Sequence, residues 1–276
     1  MASATTLPPS SSVPDSGRER TLRERYEDVK ARIAAAAKRS GRTANDVALV
    51  AVTKTASIDQ IREIITLGQY DLGENRVQQL QQRAAQVDEF LARRRELGGP
   101  NAKIPAPVRW HMIGTLQRNK LKKAIEIVRL IHSVDNLRLA EDLQMAAQRR
   151  TQPVEVLVEV NVAGEKSKHG IAPAAAKPLV EMIDTMLSLK PRGLMCMAPL
   201  TDDRGLLRSV FERTRELFDD IRRSGAGGDR FDILSMGMTN DFETAIECGS
   251  NLVRIGTAIF GPPQHVEESD SDDDTH

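Results

Sequence analysis

Aromatic residues are scarce: one Trp, two Tyr and six Phe make up only 3% of 276 positions. Single-stranded nucleic acid is held on such rings, so a nucleic-acid partner is not expected. Cysteine is scarcer still. Cys196 and Cys248 cannot build a disulfide scaffold, and their spacing matches no zinc motif. Both read as reduced thiols, and no metal site is expected. No stretch approaches the roughly 18 unbroken apolar residues of a spanning helix, so no membrane partner is expected either. Also missing is any G-x-G-x-x-G or G-x-x-x-x-G-K-[ST] loop after a strand-like segment.

What is present is an ordinary globular composition, 40% hydrophobic and 28% charged. The length allows one large domain or two small ones. Net charge is zero, but unevenly spread. Of 39 acids, six lie in the last twelve residues, which leaves the rest of the chain at +6 (39 cations against 33 acids). A mildly basic body with few rings suits a small anion.

Residues 1 to 18 are rich in Ser, Thr, Pro and Ala, and read as a solvated tail. They lack the charged and apolar regions of a secretory signal. The expected location is therefore cytoplasmic. A mitochondrial transit peptide stays open as the alternative, because acids are sparse before Asp15. Residues 263 to 276, with Ser269 and Ser271 among the acids, read as a second solvated tail.

Between the tails, residues 19 to 262 alternate strand and helix. Thr21 caps a first helix with Leu22, Tyr26, Val29, Ile33 and Ala37 on one face. Strand-like runs then follow at Val47–Val52, Tyr70–Leu72, Val108–Ile113, Leu130–Val134, Val154–Val160, Gly193–Met197, Phe231–Leu234 and Leu252–Ile255. A helix or helical turn follows each. After Pro173 the helix is expected to reach about Leu189, and Gly73-Glu74-Asn75 is read as a turn. Eight such units fit a (β/α)8 TIM barrel with one extra N-terminal helix. The competing architecture is an open doubly wound sheet, which the missing glycine motifs disfavour.

In a barrel, chemistry sits at the C-terminal strand ends. There the sequence places Lys54, Asn75, His111, Ser235, Arg254, Gly256 and Thr257. Lys54 closes an apolar strand. Partial desolvation there would lower its pKa and make it a nucleophile toward carbonyls; a lysine snorkelling into solvent is the plainer alternative. Ser235-Met236-Gly237 and Gly256-Thr257 follow strands seven and eight, where barrels often bind phosphate. Arg254 needs a partner, either an internal carboxylate or a ligand atom. His111 is either a satisfied core histidine or a functional one. Together these residues suggest a phosphorylated carbonyl compound held at both ends. A phosphosugar aldolase-like barrel would use the same lysine, but leaves Arg254 without a task.

The motifs Val52-Thr53-Lys54, Gly73-Glu74-Asn75, Trp110 to Gly114, Ser167 to Gly170, Ser235 to Met238 and Val253 to Thr257 occur in this order. In that pattern the chain resembles the pyridoxal phosphate homeostasis protein family, over roughly residues 20 to 262. The resemblance implies a barrel of the alanine racemase N-terminal domain type, the fold-type III class of pyridoxal phosphate proteins. It implies that Lys54 forms the internal aldimine with pyridoxal 5'-phosphate and that Ser235, Gly256 and Thr257 hold the phosphate. Arg254 would face the pyridine nitrogen, with Asn75 and His111 near the ring.

The implied role is intracellular homeostasis of the cofactor without established catalysis, with apo forms of pyridoxal phosphate enzymes as recipients. A monomer or weak dimer is expected. The alternative is an amino acid racemase. Racemases of this class use a second acid/base, commonly a tyrosine of a second domain. Here Tyr26 lies in the first helix, Tyr70 begins strand two, and no such domain is expected after residue 262. The chain departs from the family pattern at Arg76, at Cys196 and in a longer segment from Phe90 to Pro107.

Overall fold

The computed structural model describes residues 19–97, 105–165 and 168–262. Both expected tails, Ser167 and part of the longer segment lie outside the described residues. Eight parallel strands close into a barrel in sequence order: β1 (Ala48–Val52), β2 (Asp71–Glu74), β3 (Arg109–Met112), β4 (Val128–Val134), β5 (Val154–Val160), β6 (Leu189–Cys196), β7 (Ile233–Ser235) and β8 (Leu252–Ile255). β1 pairs with β8, which seals the sheet and leaves no edge. The open doubly wound alternative is thereby excluded.

Helices alternate with the strands: α2 (Ile58–Thr66), α3 (Val77–Leu97), α4 (Leu121–Ile125), α5 (Leu137–Ala147), α6 (Pro173–Asp184), α7 (Arg204–Arg223), α8 (Phe242–Glu247) and α9 (Thr257–Phe260). The extra helix, α1 (Leu22–Arg39), packs on α8 and α9. Its Arg32 forms a two-pronged bond to Glu243, and its Arg25 donates to the Ile259 carbonyl. Helix starts are written in the sequence. Thr21 and Glu24 form a capping box, as do Ser57 and Gln60, while Asn136 and Asp203 accept from first-turn N–H groups. Each cap stabilises its helix by about 1 kcal/mol. No helix among the described residues is long and apolar enough to cross a membrane.

Apolar side chains sort into two cores. The larger lies between helices and barrel, with Phe211, Phe231 and Phe242 fully buried. Each such ring contributes about 1.5–3 kcal/mol by leaving water. The smaller, Val50, Leu130, Leu157, Met195 and Leu252, fills the barrel interior.

Several boundaries shift from the sequence reading, and two of the shifts have a clear physical cause. β2 runs on through Glu74, because Gly73 and Glu74 pair with His111 and Met112. β6 begins at Leu189, where a helix was expected to end, and takes Pro191 into the ladder opposite Val156. The register then jumps to Leu157 opposite Gly193, so Arg192 is the extra residue of a bulge. Its guanidinium reaches Glu155, Asp232 and the Arg230 carbonyl. A proline that reads as a breaker is tolerated at such an irregularity.

At the bulge Gly193 has φ +151°, and a Cβ there would lie 1.7 Å from the Ile233 carbonyl oxygen. That oxygen belongs to the neighbouring strand and cannot move aside. Gly193→Ala should therefore cost at least about 3 kcal/mol of stability in urea denaturation. A loss below about 1 kcal/mol would contradict the tight β6–β7 approach.

Candidate functional site

Side chains alternate along a strand with period two. Val50 and Val52 face the barrel interior, and the same alternation carries Lys54 to its mouth. In β2 the sequence Asp71, Gly73, Asn75 runs the same way, as do Arg109, His111, Ile113 from β3 and Leu252, Arg254, Gly256 from β8. These ends meet in a cavity of about 420 Å³ at the C-terminal side of the barrel. Lys54, Asn75, Arg254, Gly256 and Thr257 all line it. Its apolar wall comes from Val52, Ile113, Met197 and Pro199.

Lys54 sits in the turn after β1 and is exposed. The sequence suggested a partly buried amine; the structure leaves it exposed, because the residue lies beyond the strand at an open mouth. The turn itself is firmly held. Arg83 donates to the Ala56 carbonyl at 3.1 Å and to that of Lys54 at 3.4 Å. Arg83 also pairs with the buried Glu74 carboxylate, which accepts from the Thr53 hydroxyl as well. Burial pushes the Glu74 carboxyl above its usual range, against Arg83 and Thr53. Sequence reasoning had no signal for Arg83, which reaches this network from α3.

Asn75 is placed by a close approach. A Cβ on Gly114 would fall 2.3 Å from the Asn75 carbonyl oxygen, so only glycine lets β3's following turn pass. The Asn75 side-chain oxygen is buried without a hydrogen-bond partner. Leaving such an atom unpaired costs about 1–3 kcal/mol.

Arg254 forms part of the cavity wall and is only 4% exposed. It donates to the Ser235 carbonyl at 2.9 Å, the Ser235 hydroxyl at 2.5 Å and the Cys196 carbonyl at 3.0 Å. Among the described residues no carboxylate lies at ion-pair distance. Burial pushes its pKa down from the ordinary value, with Cys196, Asp241 and Glu159 opposing. Its three partners are acceptors that require N–H donors, so the guanidinium keeps its protons.

Ser235 and His111 do not reach the cavity. Ser235 is fully buried, and its hydroxyl is engaged by Arg254 and His132. His111 is buried beneath, between His132 and Asp71. The loop after β7 instead presents Thr239 and Asp241 to the cavity. The Thr239 hydroxyl accepts from the Ala258 N–H, beside the glycine turn that opens α9. Lys168 also lines the wall, its ammonium bonded to the Ala198 carbonyl at 2.7 Å. Thr239 stands four residues past Ser235, which is the last residue of β7.

Glu159, from β5, is 3% exposed. Burial, with Asp135 nearby, pushes its carboxyl up to about 7 despite Arg254. In the unfolded chain it returns to the ordinary value of 4.5. Between those values the folded state binds more protons, so this contribution to stability is full below about pH 4.5 and is lost as pH rises to about 7. Glu159→Gln should remove the loss, making the variant more stable than wild type at pH 8 by on the order of 1–3 kcal/mol, with a smaller gap at pH 5. Urea denaturation at both pH values measures this, and an equal gap would contradict it.

Comparison with known proteins adds an independent line. A model of the alanine racemase N-terminal domain family matches residues 20–264. The pyridoxal phosphate homeostasis protein of Pseudomonas aeruginosa is 37% identical over 241 residues, covering 87% of this chain and 95% of that protein. The protein of the same name from Aquifex aeolicus is 38% identical, covering 86% and 96%. Among solved structures, PipY of Synechococcus elongatus with pyridoxal phosphate bound aligns at TM-score 0.68 and 29% identity, over 87% of this chain and all of PipY. Alanine racemase from Corynebacterium glutamicum aligns at TM-score 0.58 and 12% identity, over 86% of this chain and 61% of that one, a likeness of fold alone. By sequence match along most of its length, the chain belongs to the pyridoxal phosphate homeostasis protein family, within the alanine racemase N-terminal domain group.

Proposed function

We propose that the chain binds pyridoxal 5'-phosphate in this cavity, tethers it through Lys54, and serves its intracellular homeostasis without turning over a substrate. One observation carries the reading. A buried guanidinium with no carboxylate at ion-pair distance among the described residues and an orphaned Asn75 oxygen line the same cavity as an exposed primary amine. Buried polar groups are ordinarily satisfied, and a ligand with an aldehyde at one end, an acceptor for the guanidinium and a hydroxyl donor for the Asn75 oxygen satisfies this set. The relatives from Pseudomonas and Aquifex, named for pyridoxal phosphate homeostasis, support the choice of ligand, as does the PipY complex.

When bound, pyridoxal phosphate supplies an aldehyde that condenses reversibly with a primary amine. Lys54 Nζ is the amine at the mouth. Arg254 donates to the ring nitrogen; it does not give up that proton, so it leaves the nitrogen unprotonated and the ring a weak electron sink. Asn75 meets a polar substituent of the ring. Thr239, Gly256 and Thr257 take the phosphate through the two hydroxyls and the backbone of the glycine turn that opens α9. Ser235 and His111 support Arg254 from below. Neither Tyr26 nor Tyr70 lines the cavity; Tyr26 bonds Gln69 on the outer side of the barrel. This combination supports a carrier role, and the proposal extends to apo enzymes as recipients and to a monomer or weak dimer.

Added pyridoxal phosphate should give the protein a visible absorption band. Borohydride reduction and peptide mapping should place a pyridoxyl mass on Lys54, and Lys54→Ala should lose that product. A label on Lys168 instead, or no uptake, would refute the assignment. Incubation with L-alanine should give no inversion, and turnover near about one per second would favour a racemase.

A further inference from the structure

Five side chains stand in one hydrogen-bonded file through the barrel interior. Arg254 Nη1 donates to Ser235 Oγ at 2.5 Å. Ser235 Oγ lies 3.1 Å from His132 Nδ1, His132 Nε2 lies 3.0 Å from His111 Nδ1, and His111 Nε2 lies 3.1 Å from Asp71 Oδ1. The file begins at the cavity and ends at the opposite rim, where Asp71 and Arg109 open β2 and β3 and form a two-pronged pair.

Both ends of the file are chemically fixed, which settles where its protons sit. A guanidinium only donates and a carboxylate only accepts. Ser235 is fully buried, so its hydroxyl proton needs an acceptor, and among the described residues His132 Nδ1 is the one in reach. His132 therefore carries its proton on Nε2 and donates to His111 Nδ1. His111 then carries its proton on Nε2 and donates to Asp71. Every bond runs one way, from the cavity outward.

The surroundings agree. Burial, with the Arg254 cation adding to it, pushes His132 well below the usual imidazole range. Burial alone would raise Asp71, but bonds from His111 and Arg109 hold it down at about 2, so it stays an acceptor. Glu159, Asp241 and Cys196, from β5, the loop after β7 and β6, act on Arg254 across space; no side-chain atom of the three makes a hydrogen bond to it among the described residues.

We infer that Asp71, His111, His132 and Ser235 form a one-directional relay that fixes the Arg254 guanidinium at the cavity, so that His111 and Asp71 are positioning residues for a site neither lines. Reversing any member would set two N–H groups face to face or strand the buried hydroxyl, and Arg254 would lose its seat. The consequence for a cofactor rests on the reading given above, in which Arg254 meets the pyridine nitrogen.

The test uses the cofactor-free full chain with 15N-labelled histidine. Nuclear magnetic resonance at pH 7 should find both His111 and His132 as neutral Nε2–H tautomers. An Nδ1–H tautomer or an imidazolium at either overturns the relay. In a second arm, His111→Phe should speed hydrogen exchange at the Arg254 guanidinium about tenfold or more, as expected for loss of a buried bond. Unchanged exchange in the folded variant also overturns it, and if that variant does not fold, the wild-type tautomers decide alone. Pyridoxal phosphate should then bind His111→Phe at least about tenfold more weakly than wild type. A wild type with both Nε2–H tautomers that takes up no pyridoxal phosphate upholds the relay and refutes the functional reading.

Discussion

A guanidinium buried inside a barrel dictates much of what surrounds it. Arg254 ties together the ends of β6, β7 and β8 through the Cys196 carbonyl and both oxygens of Ser235. Taking an unpaired charge out of water is costly, and here neutral acceptors rather than a carboxylate offset that cost. The positive charge is thus left unneutralised on the cavity side. Glu159 and Asp241 act on it only across space, and both carboxyls are raised by their own burial. The result is a site with an electrostatic demand that a ligand acceptor can meet.

The scaffold brings the remaining groups to that cation through strand alternation. Lys54, Asn75 and Gly256 are each two residues beyond an inward-facing position of β1, β2 and β8. The Glu74–Arg83–Thr53 network then fixes the turn that carries Lys54. Gly114 lets the neighbouring turn pass over Asn75. Rigid strand ends set the polar groups, while the rim, with Leu200 91% exposed, is left open to solvent. Such a mouth suits reversible loading and release better than sequestered chemistry, which relies on exclusion of water.

The barrel was legible because its signals are local. Capping residues such as Thr21, Ser57 and Asn136 mark helix starts, and β-branched runs such as Val154–Val160 mark buried strands. The start of β6 was not legible: a helix was expected to reach about Leu189, where the strand begins and carries Pro191 up to the Arg192 bulge. Within the site, Lys54, Asn75, Arg254, Gly256 and Thr257 could be found at strand ends because position along a strand is a one-dimensional property. The direction of a side chain's hydrogen bonds is not. Ser235 and His111 stand at strand ends in the sequence, but that Ser235 bonds Arg254 and His132, and His111 bonds His132 and Asp71, is visible only in the structure. Arg83 and Lys168 arrive from a distant helix and loop, which no spacing rule connects to Lys54.

The most direct test of the account is a crystal structure of the full chain grown with pyridoxal 5'-phosphate. The account predicts continuous density from Lys54 Nζ to the cofactor, the ring nitrogen against Arg254, and the phosphate between Thr239 and Gly256-Thr257. Density that leaves Lys54 free, or a cofactor seated away from Arg254 among Arg39, Arg204 and Arg208 in the neighbouring polar cavity, would contradict it.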